Sequence, residues 1–501
     1  MRKVYYPLAF VLCMVLMGTH LHGTPQSAPV GENPAPSRPT PVNISFAQAQ
    51  PILAALASNL LPAGLKNQTP EEIAPLWPDW VTRHDQETRA RLLRGDEDTM
   101  VNFLVLGTSF TRQPRFTGSE FGLLTFVGDD PAMLSPADSP PALHLLSRAD
   151  DLIRGMANPG ENDRLIFLSQ FVEKQGYRPR QAFGAHPNLG ERERLKNYVL
   201  GNVARVCSEL LRLQLTYDEA RVGGGASENN AVVSTLYHSR GVSLDTSMLP
   251  NMALEESLKA MLAQGLLAPG SVHRVAVIGP GLDFTDKLGG YDFYPQQTVQ
   301  CFGLADTLIR LGLSRPGELN LTTFDISARV NDHLTRAVQR AQRGMPYIVQ
   351  LPHNAAETWN PETAHFWRTF GDQIGAPAAP IPPPALAGDV ETRAVRIFPA
   401  FVSIITPVDL NIVTQRLDLP PQQTFDLIIS TNVFCYFDSF EQLLAMANTQ
   451  SMLRPGGFLL SNNAMPLLAA IPMSLAGSHA ISYSDRLNDG DVVLWYQRSP
   501  N

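Results

Sequence analysis

From Ser45 onward the apolar positions Ile52, Leu53, Leu56, Leu60 and Leu61 recur at three- and four-residue steps, the spacing that puts them on one face of a helix. The same period predicts helices over 70–76, 85–93, 163–175, 191–213 and 252–267, separated by polar or glycine-rich connections such as 223–230. The stretch 43–254 therefore reads as a mainly helical domain without internal repeats. Ahead of it, 24–42 carries six prolines among Ser, Gly, Glu and Asn, a composition that builds no core and serves as a spacer.

The period changes over 255–501. RVAVI (274–278), 319–325, 347–351, FDLIIS (425–430) and 457–462 are short β-branched or apolar runs, and helical patterns at 295–310, 326–343 and 440–453 alternate with them. Strands alternating with helices imply a parallel sheet covered on both faces. Runs at 480–483 and 492–497 flank Asn488-Asp489-Gly490, a turn signal for a closing antiparallel hairpin. The expected fold class is α/β: a Rossmann-like, doubly wound, mostly parallel sheet with a C-terminal antiparallel hairpin, behind a mainly helical domain. The segment 372–392, rich in proline and alanine, reads as an irregular insertion in it.

The amino terminus adds an address. Arg2 and Lys3 precede an apolar run over 4–18, shorter than the roughly 20 residues a membrane-spanning helix needs, and Gly23 offers a cleavage point. Residues 1–23 read as a signal peptide or an uncleaved anchor. Either places the body of the chain outside the cytoplasm, periplasmic or extracellular, and no other segment reads as an integral membrane domain. Net charge is 39 − 47 = −8, which excludes the basic footprint of a nucleic-acid binder. Beyond Cys13, the isolated Cys207, Cys301 and Cys435 read as small buried residues. The eleven histidines show no metal-ligand spacing.

Chemistry concentrates where a parallel sheet binds ligands, at the carboxyl ends of its strands. Gly279-Pro280-Gly281 ends the first strand of the α/β half, and Asp325 ends the next, where a carboxylate can accept hydrogen bonds from both ribose hydroxyls. The alternative role for Asp325 is an N-cap for the following helix; the glycines upstream favour the ribose. A dinucleotide site would place a third glycine at Phe284 and open directly into a helix for the pyrophosphate, and here a loop over 283–294 intervenes. A cofactor without phosphates does not need that helix end.

On these residues 255–501 resembles the class I S-adenosylmethionine-dependent methyltransferases. VAVIGPG (275–281) stands at the family's glycine motif, FDIS (324–327) supplies its ribose acid, and FDLIISTNVFCYFD with MLRPGGFLLSNN matches its fourth and fifth strands. NVFCYFD (432–438) is similar to the protein-glutamate methyltransferases of chemotaxis. The resemblance implies S-adenosylmethionine as cofactor, with Gly279, Pro280, Gly281, Asp325, Ile326 and Asn432 around it. Val277 replaces the usual acid ahead of the glycines, and Asp283, at the third glycine position, would supply the missing carboxylate. Asp409 and Asn411 would border the adenine, and Tyr237 and Arg240 would fold over the cofactor. His353 is a candidate base by residue type, and Tyr436 and Phe437 read as pocket wall.

Three functions stay open. The first is methyl transfer to a small-molecule or protein acceptor. The second is an exported, non-catalytic binding protein on the same fold, favoured because a compartment outside the inner membrane is not expected to hold S-adenosylmethionine. The third is a nicotinamide-dependent oxidoreductase, disfavoured by the absent third glycine.

Overall fold

The computed structural model describes residues 40–116, 140–183, 187–223, 240–246, 248–285, 290–486 and 489–500. The signal or anchor at 1–23, the spacer up to residue 39, Tyr237 and Asn488 lie outside them.

Seven strands form the central sheet: β1 (Arg274–Ile278), β2 (Asn320–Asp325), β3 (Ile405–Asp409), β4 (Phe425–Ser430), β5 (Leu453–Ser461), β6 (Met473–Ser482) and β7 (Gly490–Arg498). Their order across the sheet is β6-β7-β5-β4-β1-β2-β3. β7 runs antiparallel to both neighbours, and every other described pairing in the sheet is parallel. This is the doubly wound sheet with a closing hairpin that the strand–helix alternation predicts. The switch point lies between β1 and β4, where the chain leaves β1 toward one edge and later returns to build the other. Buried Asp426 sets the register there: its carboxylate accepts the N–H groups of His273 and Arg274 at 2.8 and 2.9 Å.

Side-chain alternation along β1 feeds two cores. Val275 and Val277 face a layer built from α6 (Leu249–Ala263), α7 (Gln300–Arg310) and α8 (Ala328–Ala341). Ala276 and Ile278 face α9 (Ser439–Met452) together with residues from far upstream. Ile44, Ala49, Ile52 and Leu53, mostly on α1 (Phe46–Ala55), and Trp77 with Trp80 at the start of α2 (Trp77–Leu106), all belong to this second core. The end of the spacer takes part as well, since Pro41–Asn43 pairs antiparallel with Gln415–Leu417. A third core joins the far half of α2 to α3 (Pro140–Ala157), α4 (Asp163–Lys174) and α5 (Leu189–Gly223), with Phe284 inserted from the α/β half. Helix α6 runs through position 254/255.

Three expected elements change. The run at 347–351 is not part of the parallel sheet. It opens Tyr347–Asn354, which pairs antiparallel with Val390–Ile397, itself paired with Gly375–Ala378. Ile348 is exposed, but Val349, Gln350, Leu351 and Pro352 are buried in succession, so burial alone does not distinguish this strand from one covered on both faces; its antiparallel partners do. The segment 372–392 is correspondingly not irregular throughout, for Pro377 sits in the outer strand of that small sheet, where a missing N–H is tolerated. The helix expected from Pro295 begins only at Gln300. Residues before it are held extended: Thr298 N–H donates to Tyr347 Oη at 2.9 Å, and Gln297 exchanges two hydrogen bonds with Gln350.

Candidate functional site

The turn after β1 places Gly279 and Gly281 at φ +63° and +71°, the left-handed region that glycine enters without penalty. What their missing Cβ atoms admit here is the chain itself. A Cβ on Gly279 would meet Val433 Cγ2 at 2.7 Å, and one on Gly281 would meet the Leu244 carbonyl and Thr246 Cβ at 2.8 Å. Pro280 between them is buried. Residues 240–246 thus form a strap over the glycine turn, fastened where Leu282 N–H donates to the Leu244 carbonyl at 2.7 Å. Arg240 lies on this strap.

Asp325 stands beside the turn at the end of β2, 6% exposed. Its Oδ1 accepts Ser327 N–H at 2.8 Å, but Ser327 is itself the N-cap of α8 and no side chain caps that helix, so the capping role is not realised. Burial pushes its carboxyl up to about 7, against the pull of the Ser327 N–H, and Asp409 at the paired end of β3 adds to the rise. Helix α2 crosses these strand ends. Arg89 donates to the Ile326 carbonyl at 3.1 Å and pairs with Asp409 at 2.7 Å and Asp85 at 2.9 Å, while Asn411 donates to Asp85 at 2.8 Å. Farther along α2, Arg91 donates to the carbonyls of Tyr436 and Arg240. Gly95 lies so close to the strap that a Cβ would sit 1.9 Å from the Val242 carbonyl. The Asp85–Arg89 spacing is a readable helical pair, but nothing in the sequence says that it spans strand ends.

At the end of β4, Asn432 adopts φ +58°, an uncommon conformation that asparagine tolerates better than most residues. Asn462 holds it there: Asn432 N–H donates to Asn462 Oδ1, and Asn462 Nδ2 donates to Asn432 Oδ1, both at 2.8 Å. Asn462 also donates to Asp491, which accepts the Tyr483 hydroxyl at 2.6 Å. Burial holds the Asp491 carboxyl above its ordinary range. Gln300, in the first turn of α7, reaches Thr431 at 2.8 Å.

Gly279, Gly281, Asp325, Ile326 and Asn432 therefore meet at one edge of the sheet. Asp283 lies next to it, 1% exposed, lining a small cavity with Gln297, Gln350, Met248, Leu249 and Trp359. His353 is stacked on Trp359 at 3.7 Å with Nδ1 3.7 Å from Glu391, and burial lowers its pKa. It is absent from the wall of that cavity. Cys207 and Cys301 are buried and Cys435 half-buried, all three unbridged. Among the described residues no group of His, Cys, Asp and Glu could hold a metal ion, and no helix is long and apolar enough to cross a membrane.

No protein-family model matches the chain, and no curated protein matches it in sequence. Solved structures similar to it include N-methyltransferase NodS from Bradyrhizobium japonicum WM9, at 16% identity over 50% of this chain and 98% of that one, with a TM-score of 0.23. Glycopeptide N-methyltransferase MtfA complexed with S-adenosyl-L-methionine aligns at 10% identity over 52% and 97%, TM-score 0.26. Magnesium protoporphyrin IX methyltransferase from Synechocystis PCC 6803 aligns at 14% identity over 50% and 79%, TM-score 0.23.

Proposed function

We propose that the chain is an S-adenosylmethionine-dependent methyltransferase acting at the carboxyl edge of β1, β2 and β4. The observation that carries the reading is the juxtaposition at the switch point of a left-handed glycine turn and a buried acid, Gly281 and Asp325, in a sheet closed by one antiparallel strand. Among the described residues no helix opens from the glycine turn, since α7 waits until Gln300. A pyrophosphate would have no helix end to sit on, which favours a nucleoside cofactor without phosphates over a nicotinamide dinucleotide.

The residues present fit such a group on the ribose side. A buried carboxyl raised toward neutrality gains from donors that stabilise its ionised form, and a ribose diol offers two. Bound there, the cofactor would supply an electrophilic methyl group. The protein's part is then to bind, exclude water and align. Asp325 holds the ribose, Asn432 and its network define the acceptor side, and α2 with the strap covers the edge. Positioning of this kind accounts for much of the rate in a bimolecular transfer and calls for no strong acid or base.

Calorimetric titration with S-adenosylmethionine, S-adenosylhomocysteine and NADH tests this. The expected result is binding of the first two only, lost in Asp325→Ala. No binding of either would sink the reading. It would favour the second one, a non-catalytic binding protein, which is supported by the close packing of Val433 and the strap on both glycines. The exported location belongs to the same proposal, and sequencing the mature amino terminus from whole cells tests it.

A further inference from the structure

Arg89, Arg205, Arg310, Arg393 and Arg454 each pair with a carboxylate at 2.5–2.7 Å. One corner of the molecule departs from this habit. Arg336 and Arg340 stand one turn apart on α8, Arg343 lies in the turn that closes the helix, and Arg396 belongs to the strand Val390–Ile397. All four are exposed, and none pairs with a carboxylate among the described residues. Asp332, the one acid on α8, pairs with none of them. Cations in a last helical turn gain from the helix dipole, which accounts for Arg340 and Arg343 but not for Arg336 or Arg396. Like charges four residues apart on a helix repel, so the cluster has a cost, and it stands in a chain of net charge −8.

Exposed apolar side chains accompany these arginines. Met345 donates its N–H to the Arg340 carbonyl at 3.0 Å, and Ile348 lies directly across from Arg396 in the small sheet. Phe398 follows two residues on, beside the short helix Pro399–Val402 that packs on α8. All three are large apolar residues left open to solvent. Tyr347, hydrogen-bonded to His333, binds that strand to α8, and Arg340 is near enough to act on the Tyr347 hydroxyl. A bilayer with anionic headgroups meets both features at once, with phosphates at its surface and acyl chains just beneath. A nucleic acid offers charge but no apolar layer, and beyond the patch it would face a net negative protein. The apolar residues stand on a strand and its flanking turns, which suits a flat partner better than an amphipathic helix seeking a groove.

We infer that this corner docks the protein on a bilayer rich in anionic phospholipid, with the four arginines among the phosphates and Met345, Ile348 and Phe398 in the acyl boundary. Helix α8 carries the corner roughly 20 Å from Asp325, so docking leaves the carboxyl edge of the sheet free. Sedimentation of the full chain with vesicles of phosphatidylcholine, alone or with an equal part of phosphatidylglycerol, tests this. The apolar run at 4–18 can bind either vesicle, so the readout is the preference for the anionic one. The expected preference is about tenfold or more, lost when Arg336→Gln, Arg340→Gln, Arg343→Gln and Arg396→Gln are combined. Removing as many charges at the equally exposed Arg83, Arg112, Arg180 and Arg368 should change it by no more than about twofold. Ile348→Ser with Phe398→Ser should weaken binding to the anionic vesicles about fivefold or more. No anionic preference, a preference that survives loss of the four arginines, or binding indifferent to the serine pair overturns the proposal. Polyglutamate and single-stranded RNA run in parallel. Binding of either more tightly than of the vesicles, lost with the four arginines, would overturn the bilayer in favour of an acidic protein or a nucleic acid.

Discussion

Asp325 carries a cost that pH can read. Its folded value, raised to about 7 from an ordinary 3.8, means that the folded state keeps the proton longer than the unfolded chain. The stability it contributes is therefore full below about pH 4 and falls as pH rises to about 7, at a limiting slope of about 1.4 kcal/mol per unit. Without ligand, Asp325→Asn should match the wild type in denaturant midpoint near pH 4 and exceed it at pH 8, because the amide oxygen still accepts Ser327 N–H; equal midpoints at pH 8 would refute the shift. Gly281 makes a second residue-scale case. Gly281→Ala adds the strain of a positive φ to a collision with the Leu244 carbonyl and should cost roughly 2–4 kcal/mol. Gly265→Ala, at φ +72° with open space around it, should cost only about 1 kcal/mol. Similar losses would mean that the strap does not press on the turn. The glycines and Asp325 were legible as residues, since strand, turn and acid are local patterns. Arg89, Asn462 and Asp491 were not, since their roles come from chain hundreds of positions away or from other strands.

At the scale of elements, Tyr347 ties three of them together. Its hydroxyl accepts Thr298 N–H ahead of α7 and is hydrogen-bonded to His333 Nε2 of α8 at 2.7 Å. Burial lowers the His333 pKa to about 4, so the imidazole stays neutral. Tyr347→Phe leaves both partners buried and unsatisfied, an expected loss of about 1–3 kcal/mol that calorimetric unfolding at pH 7 would measure. A loss within error would show that the small antiparallel sheet is held by its apolar side chains alone. Strand runs with long apolar stretches, such as FDLIIS, were located to the residue. The strand at 347–351 was placed in the wrong sheet, because a short apolar run does not say which partner its N–H groups will find.

For the whole molecule, the two halves of the sequence do not correspond to two cores. Ile44, Ile52, Trp77 and Trp80 are buried at 5% exposure or less in the same core as Ile278 and Ile428. A chain beginning at 255 would expose that sheet face and lose the Pro41–Asn43 pairing. It should aggregate or lose its near-ultraviolet circular dichroism, whereas a monomeric, cooperatively unfolding fragment would show the α/β half to be self-sufficient. What the sequence by itself determined is the periodicity: helices, then alternating strands and helices, a glycine turn and an acid at successive strand ends. Those follow from contacts within a few residues, where backbone geometry and side-chain spacing suffice. Only the tertiary structure decided that the first helices complete the sheet's core and that α2 and the strap cover its carboxyl edge. Such contacts join residues far apart in the chain, and they are selected by burial and charge compensation that no local pattern encodes.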